Sequence, residues 1–475
     1  MSATVMGLAR YVSATNGAMC MDGTPPVYWV NYNPSKPNKW LLSLEGGGYC
    51  ASFNSSYNPS WTYNCYSFMT YTPTGTSNEA TLNANGYTVP YWNFSSELGN
   101  YFSQDTSTNP MFADWNMVYL HYCDSGAWLS NLDNSVTSTG EHEATMYLKG
   151  YQNLEAILAD LNENYDLDSA TDIVLAGQSA GAVAAYAYLD FVASKYSVAN
   201  VVGMPDSGFF LQLNYEPCNY ADQFVWMYEN MNIEPVLNAG CVAAYNLAGG
   251  NASDCMFAQN MIPYILTPFF ALQSAFDSSQ YGYILCLSVT EDPTNETAIY
   301  AYSEILRETY YSSGMGTVRN SGLLGNCPRH YYYYNFSTSP PILIDEWNGI
   351  GAYSTAGSEW NPTGSMTTQQ QAFSTWFENA YTVGLNLQQT PVSSSAPYLN
   401  FSYCSNAFPQ STSMGDGSSN DSGLSVGAFA LITVAAILVG FVAGTFTVTL
   451  ILRKIRSGAS EEGITLTTIP KSNTV

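Results

Sequence analysis

The segment Asp172–Tyr196 constrains the fold more than any other part of the chain. It runs from a short apolar stretch, DIVLA, through the pentapeptide Gly177-Gln178-Ser179-Ala180-Gly181 into the small-residue run AGAVAAYAYLDFVASKY. A buried strand that turns within a few residues into a helix is half of a βαβ unit. Its neighbours repeat the theme. Trp40–Leu44, Trp115–Cys123, Val198–Met204 and Pro268–Gln273 read as further strands. Ala144–Leu161 reads as an amphipathic helix, with Leu148, Tyr151, Leu154, Leu158 and Leu161 spaced by three and four. Strands alternating with helices imply an α/β fold: a mostly parallel sheet with flanking helices. No internal repeat is visible.

The 475 residues carry a formal charge of −25 from 12 Lys+Arg and 37 Asp+Glu, which excludes a nucleic-acid protein for want of a basic footprint. The aromatic content of 15% excludes a disordered acidic chain. Ten cysteines without a C-x-x-C pair point to disulfides in an oxidising compartment rather than to zinc, and no metal or cofactor is implied. Seven N-x-S/T sequons, at Asn54, Asn93, Asn251, Asn295, Asn335, Asn400 and Asn420, are glycosylation candidates that agree with that compartment. Leu424–Leu452 is an uncharged apolar run that would reach about 43 Å as a helix, enough to span a membrane once with tilt. Arg453, Lys454 and Arg456 follow it and place the tail in the cytoplasm. The expected organisation is an external catalytic domain over 1–404, a flexible polar stalk over 405–423, a transmembrane helix over 424–452 and a cytoplasmic tail over 453–475. Residues 1–20 lack the apolar core of a signal peptide, from which an N-terminus upstream of Met1 is expected.

G-x-S-x-G alone is a weak signal, since Gly423-Leu424-Ser425-Val426-Gly427 matches it where the stalk meets the apolar run. Context selects Ser179, which follows a strand and opens a helix, the turn that exposes a nucleophilic hydroxyl above a sheet. A serine nucleophile needs a base, and the chain has three histidines. His121 sits inside a strand, where a packed or hydrogen-bonded histidine is expected. His142, between Glu141 and Glu143, reads as a solvated helix start. His330 fits the order Ser…Asp…His, and the acid that precedes it after a late strand is Asp277, ahead of Asp206 and Asp345. Glu45-Gly46-Gly47-Gly48 follows the WLLSL strand, and the N–H groups of Gly47, Gly48 and Ala180 could converge on an oxyanion.

The blocks LEGGGYC, FADWNMVYLHYCDSGAW, LAGQSAGA, MPDSGFFL, TPFFALQSAFDSSQ and NCPRH resemble, in order over residues 20–381, those of the pectin acetylesterase family, which includes the Notum carboxylesterases. The resemblance implies an α/β-hydrolase-like serine esterase with Ser179 as nucleophile, His330 as base, Asp277 as acid, and Gly47, Gly48 and Ala180 as oxyanion donors. Ala182 departs from the family's S-A-G-G, and His330 lacks the His-Cys or His-Glu context common in relatives. Gly48-Tyr49-Cys50 is closer to the plant GGGWC than to Notum's GGWYC. The implied partner is an acetylated polysaccharide or another acyl ester. The alternatives are Notum-like removal of a fatty acyl group from a protein, and a catalytically silent surface receptor.

Overall fold

The computed structural model describes residues 6–325, apart from 14–16, 57–63, 95–97, 99, 107–108, 288–292 and 318. It also describes His330 and the segments 353–355, 369–379, 386–389, 449–453 and 463–467. In chain order the strands are β1 (Gly7–Tyr11), β2 (Val27–Asn31), β3 (Lys39–Leu44), β4 (Tyr91–Trp92), β5 (Asn116–Leu120), β6 (Val136–Thr137), β7 (Thr145–Met146) and β8 (Asp172–Gln178). They continue with β9 (Asn200–Asp206), β10 (Phe269–Ser274), β11 (Asn320–Gly325), β12 (Tyr353–Thr355), β13 (Asn386–Gln389), β14 (Thr449–Arg453) and β15 (Gly463–Thr467). Eleven of them form one sheet in the order β12-β13-β11-β10-β9-β8-β3-β5-β2-β1-β4. From β13 to β5 every pairing is parallel, while β2, β1 and β4 extend one edge antiparallel and β12 caps the other.

Alternation of side chains gives the sheet two buried faces. Trp40, Leu42 and Leu44 of β3 and Ile173 and Leu175 of β8 join one apolar cluster, with the helices Gly150–Tyr165 and Ala180–Lys195. Leu41, Val174, Ala176, Phe270 and Leu272 point the other way into an aromatic-rich cluster that includes Trp29, Tyr119, Phe112 and Trp376. The small residues of Ala180–Lys195 let that helix lie almost on the backbone of the sheet. A Cβ at Gly181 would overlap the carbonyl oxygens of Leu44 and Glu45, and one at Gly203 would come within 2.7 Å of Leu189.

The five strands read from the sequence are present, with bounds shifted by a few residues. The helix read over Ala144–Leu161 starts at Gly150 rather than Ala144, because Thr145–Met146 pairs with Val136–Thr137 and Tyr147 N–H donates to Met21 O. Leu148 is buried, but in the stretch between Met146 and Gly150, before the helix begins. His142 therefore lies in a connection between two short strands, exposed, its ring stacked on Tyr66 with centroids 5.0 Å apart.

Among the described residues four disulfides join Cys20 to Cys123, Cys50 to Cys65, Cys218 to Cys286 and Cys241 to Cys255, and no cysteine is free. Asn54 and Asn251 are exposed and Asn93 is half-buried. Asn295 falls in the helix Pro293–Ser312, and Asn335, Asn400 and Asn420 lie outside the described residues, as do Cys327, Cys404 and the stalk. The helix expected over 424–452 needs a correction at its end. Thr449–Arg453 is strand β14, paired antiparallel with β15, and the β-branched Thr449, Ile451, Ile464, Thr465 and Thr467 favour that extended backbone. Residues 424–448 lie outside the described residues. Among the described residues no helix is long and apolar enough to cross a membrane.

The close approach of helix to sheet is testable. Gly181→Ala forces a methyl against backbone oxygens, which cannot swing away. It is expected to lower stability by about 1–3 kcal/mol, the usual range for overpacking, measured by urea unfolding. An unchanged midpoint would contradict the contact.

Candidate active site

The carboxyl ends of β3, β8, β9, β10 and β11 open on the same edge of the sheet, where ligands of open α/β sheets bind. Ser179 lies in the turn after β8, with φ 53° and ψ −119°, a left-handed backbone that a side chain adopts under strain. Its N–H donates to Asp206 O of β9 at 3.0 Å, and its own carbonyl accepts from Ala182 and Val183, which starts the helix. Gln178 is held by bonds from Nε2 to Ser43 Oγ at 2.7 Å and to Tyr101. Glycine is needed on both sides of Ser179 because a Cβ at Gly177 would overlap the carbonyl of Gly181. Ala182, where a glycine was expected, fits because its methyl packs against Gly208; a Cβ there would lie 2.5 Å from it.

His330 reaches back to this turn. Its Nε2 lies 2.6 Å from Ser179 Oγ and its Nδ1 2.8 Å from Asp277 Oδ1. An ionised carboxylate can only accept, so Nδ1 carries the ring proton and Nε2 is the lone pair offered to the hydroxyl. Asp277 is fully buried and caps the helix Ser278–Tyr283, accepting from Ser279 N–H at 3.0 Å and Gln280 N–H at 3.2 Å. The structure thus brings together the serine, histidine and aspartate singled out from the sequence. Asp206 instead bonds Ser207 Oγ at 2.9 Å, and Asp345 lies outside the described residues.

The glycine loop abuts the serine: a Cβ at Gly46 would lie 2.8 Å from that of Ser179. Gly48 has φ 76°, and Gly47 faces Thr74 so closely that a Cβ would collide with it. Among the described residues no acceptor lies against the N–H of Gly47, Gly48 or Ala180.

The anchor of this loop is Glu45, whose part the sequence did not reveal. Its buried carboxylate accepts from Tyr122 N–H at 2.8 Å, from Tyr87 and from His121 Nδ1 at 2.6 Å. His121 Nε2 donates to Thr76 O at 2.9 Å, so both ring nitrogens face acceptors and the imidazole is cationic. Burial by itself disfavours that charge, but the charge of Glu45, its hydrogen bond from Nδ1 and the bond from Nε2 to the Thr76 carbonyl outweigh it and raise the pKa. At the far end of the loop Tyr122 Oη donates to Gly48 O at 2.8 Å. His121 is the hydrogen-bonded core histidine that its strand position suggested. Its pairing with Glu45, across 76 residues, carried no sequence signal.

The pectinacetylesterase family model matches residues 3–309. The chain belongs to that family. The match covers Gly47, Gly48, Ser179, Ala180 and Asp277 and stops short of His330, whose position rests on the distances above. Among its curated relatives, pectin acetylesterase 5 of Arabidopsis thaliana is 28% identical over 292 residues, 60% of each chain. The palmitoleoyl-protein carboxylesterase NOTUM of Schmidtea mediterranea is 26% identical over 58% of this chain and 49% of that one. The present pectinacetylesterase-family chain therefore matches about half to three-fifths of these relatives' length. The crystal structure of the Wnt deacylase Notum from Drosophila shares its fold, with a TM-score of 0.63 and 19% identity over 81% of this chain and 96% of that one.

Asp124, beside the loop, supplies a pH test. Burial pushes its carboxyl pKa up to about 6 against the hydrogen bonds from Ser130 Oγ at 2.5 Å and Gly126 N–H at 3.2 Å, and Oδ1 has no partner among the described residues. Between about pH 4 and 6 the native state holds a proton that the unfolded chain has lost, so stability falls as pH rises through that window and stays lower above it. Asp124→Asn is expected to flatten this slope and to stabilise the protein near pH 7 by on the order of 2 kcal/mol. Urea midpoints between pH 4 and 7.5 check it, and an unaltered slope would assign the dependence elsewhere.

Proposed function

We propose that the chain is a membrane-anchored serine carboxylic ester hydrolase that removes acetyl groups from a cell-wall or matrix polysaccharide. The observation that carries this reading is the continuous line from Ser179 Oγ through both nitrogens of His330 to Asp277. In the proposed reaction Oγ attacks the acyl carbon as Nε2 takes its proton. The carbonyl oxygen becomes an oxyanion facing the N–H groups of Gly47, Gly48 and Ala180. Collapse breaks the ester bond, and the imidazolium returns its proton to the leaving alcohol. Water, deprotonated by the same nitrogen, then releases the acid and restores Ser179. Asp277 keeps the ring in the required tautomer and supports its transient charge.

The relatives' names, pectin acetylesterase and palmitoleoyl-protein carboxylesterase, both denote carboxylic ester hydrolysis. A charge of −25 favours a neutral acetylated glycan over a polyanion. Residues 1–404 carry the chemistry outside the membrane and 405–423 tether it. As a helix, 424–448 alone reaches about 37 Å, still longer than the apolar core of a bilayer, and the tail to residue 475 is cytoplasmic. Exposed Asn54 and Asn251 are the sequons best suited to carry glycans.

The test uses the full-length chain in membranes from an oxidising host, with p-nitrophenyl acetate and octanoate as substrates. Acetate hydrolysis that drops at least about 1,000-fold in Ser179→Ala is expected. A preference for octanoate would move the reading to removal of a fatty acyl group from a protein. Folded protein without Ser179-dependent turnover would leave a surface receptor on a hydrolase fold. Resistance to alkaline carbonate extraction is expected of the anchor; release into the supernatant would remove it.

A further inference from the structure

Gln273 and Gln280 flank Asp277 by four residues before and three after, and both side chains turn onto the same atom. Nε2 of each lies 3.2 Å from Asp277 Oδ2, the carboxylate oxygen that His330 does not use. Neither amide has freedom left. The second proton of Gln273 Nε2 goes to Ser274 O at 3.1 Å, and its Oε1 accepts from Phe209 N–H at 3.0 Å. The second proton of Gln280 Nε2 goes to Phe209 O at 3.2 Å, and its Oε1 accepts from Tyr302. Both glutamines are fully buried. Flipping either amide would set its oxygen against a carboxylate oxygen and a backbone carbonyl, and for Gln273 would also set N–H₂ against the Phe209 N–H, so the orientation of each is fixed.

Together the two amides join three elements: the end of β10, the helix Ser278–Tyr283 and the peptide groups of Phe209 after β9. The next residue, Phe210, lies against the imidazole of His330, with ring centroids 5.9 Å apart. Rotation of the Asp277 carboxylate about its own axis is therefore opposed on one oxygen by two side-chain donors. On the other it is opposed by two backbone N–H groups and by His330. We propose that Gln273 and Gln280 are positioning residues of the esterase site, a pair of amides that fix Asp277 Oδ2 so that Oδ1 alone faces His330 and Phe210 is held against the ring. The proposal rests on the esterase reading above and adds two residues to it.

Removing one donor frees the carboxylate to turn and lets the imidazole leave the line to Ser179. Gln→Met keeps the length and bulk of the side chain but supplies no N–H. For Gln280→Met and Gln273→Met the expected result is a fall in kcat of about 10- to 100-fold on p-nitrophenyl acetate with KM changed less than about two-fold, the signature of lost alignment rather than lost binding. The double variant should fall no further than the worse single one, because both amides act on one oxygen.

A second readout does not depend on turnover. The proton between His330 Nδ1 and Asp277 is expected as a low-field imidazole resonance in the wild-type chain. It is identified by its loss in His330→Gln and is broadened or lost in the Met variants, while the His121 signal, paired with Glu45, stays in place. Gln280→Glu, which faces Asp277 with a second carboxylate, should disturb the signal more than Gln280→Met. Met variants that keep both kcat and the low-field signal would overturn the proposal. So would variants whose activity loss tracks a lower unfolding midpoint while the signal is unchanged, since that is packing alone. An inactive wild-type chain that shows the signal, and loses it in the Met variants, would retain the amide clamp and fail only the esterase reading.

Discussion

Where the helix Ala180–Lys195 leaves the sheet, Gly181 lies against the carbonyl oxygens of Leu44 and Glu45, and Gly46 lies against that of Gln178. This contact between two bare backbones sets the distance between the end of β3 and the turn after β8. The strained φ of Ser179 follows from it, because the chain must reverse within one residue to place a helix so close. So does the nearness of the glycine loop to the serine. A side chain at any of these positions would push the turn at Ser179 away from the glycine loop.

Around that crossing, charge is managed with very few cations. Glu45 is balanced by a cationic His121, and Asp124 by nothing but hydroxyl and N–H donors, at the expense of a raised pKa. Asp277 is surrounded by N–H groups: two from the backbone, two from glutamines and one from His330. Glu45 and Asp277 are satisfied through short directional bonds, whereas Asp124 keeps one oxygen without a partner among the described residues. The same groups fix geometry. Glu45 and Tyr122 hold the two ends of the glycine loop, and the glutamines hold the acid of the line from Ser179.

The parallel centre of the sheet was legible because its strands are continuous apolar runs bounded by polar turns, as in WLLSL and DIVLA. Chain order selected Asp277 and His330, and both meet Ser179's turn in space. The antiparallel edge was not legible. β1 is half exposed and β4 has two residues, so neither carries a run long enough to register. The start of the helix at Gly150 was hidden by Leu148, whose burial suits a helical spacing equally well. What escaped completely was pairing at long range, as between Glu45 and His121, since hydrogen bonds between distant residues leave no periodicity. Gln273 and Gln280 stood in the TPFFALQSAFDSSQ block in plain view, yet their spacing gains meaning only when the turn at Asp277 folds both back onto one oxygen. The strand Thr449–Arg453 inside the end of the apolar run was not legible, because hydropathy counts threonine and isoleucine without regard to their preference for extended backbone.

A site whose buried carboxylate is satisfied by neutral amides responds to its surroundings differently from one held by lysine or arginine. Mobile ions weaken attraction between exposed charges over roughly 8–10 Å at moderate ionic strength, but they do not reach buried hydrogen bonds of 3 Å. The alignment of Asp277 with His330 is consequently insulated from salt. The chain's large acid excess, by contrast, creates a field that salt does attenuate. Ionic strength thus acts on how a charged molecule approaches this protein and leaves the alignment of Asp277 with His330 untouched.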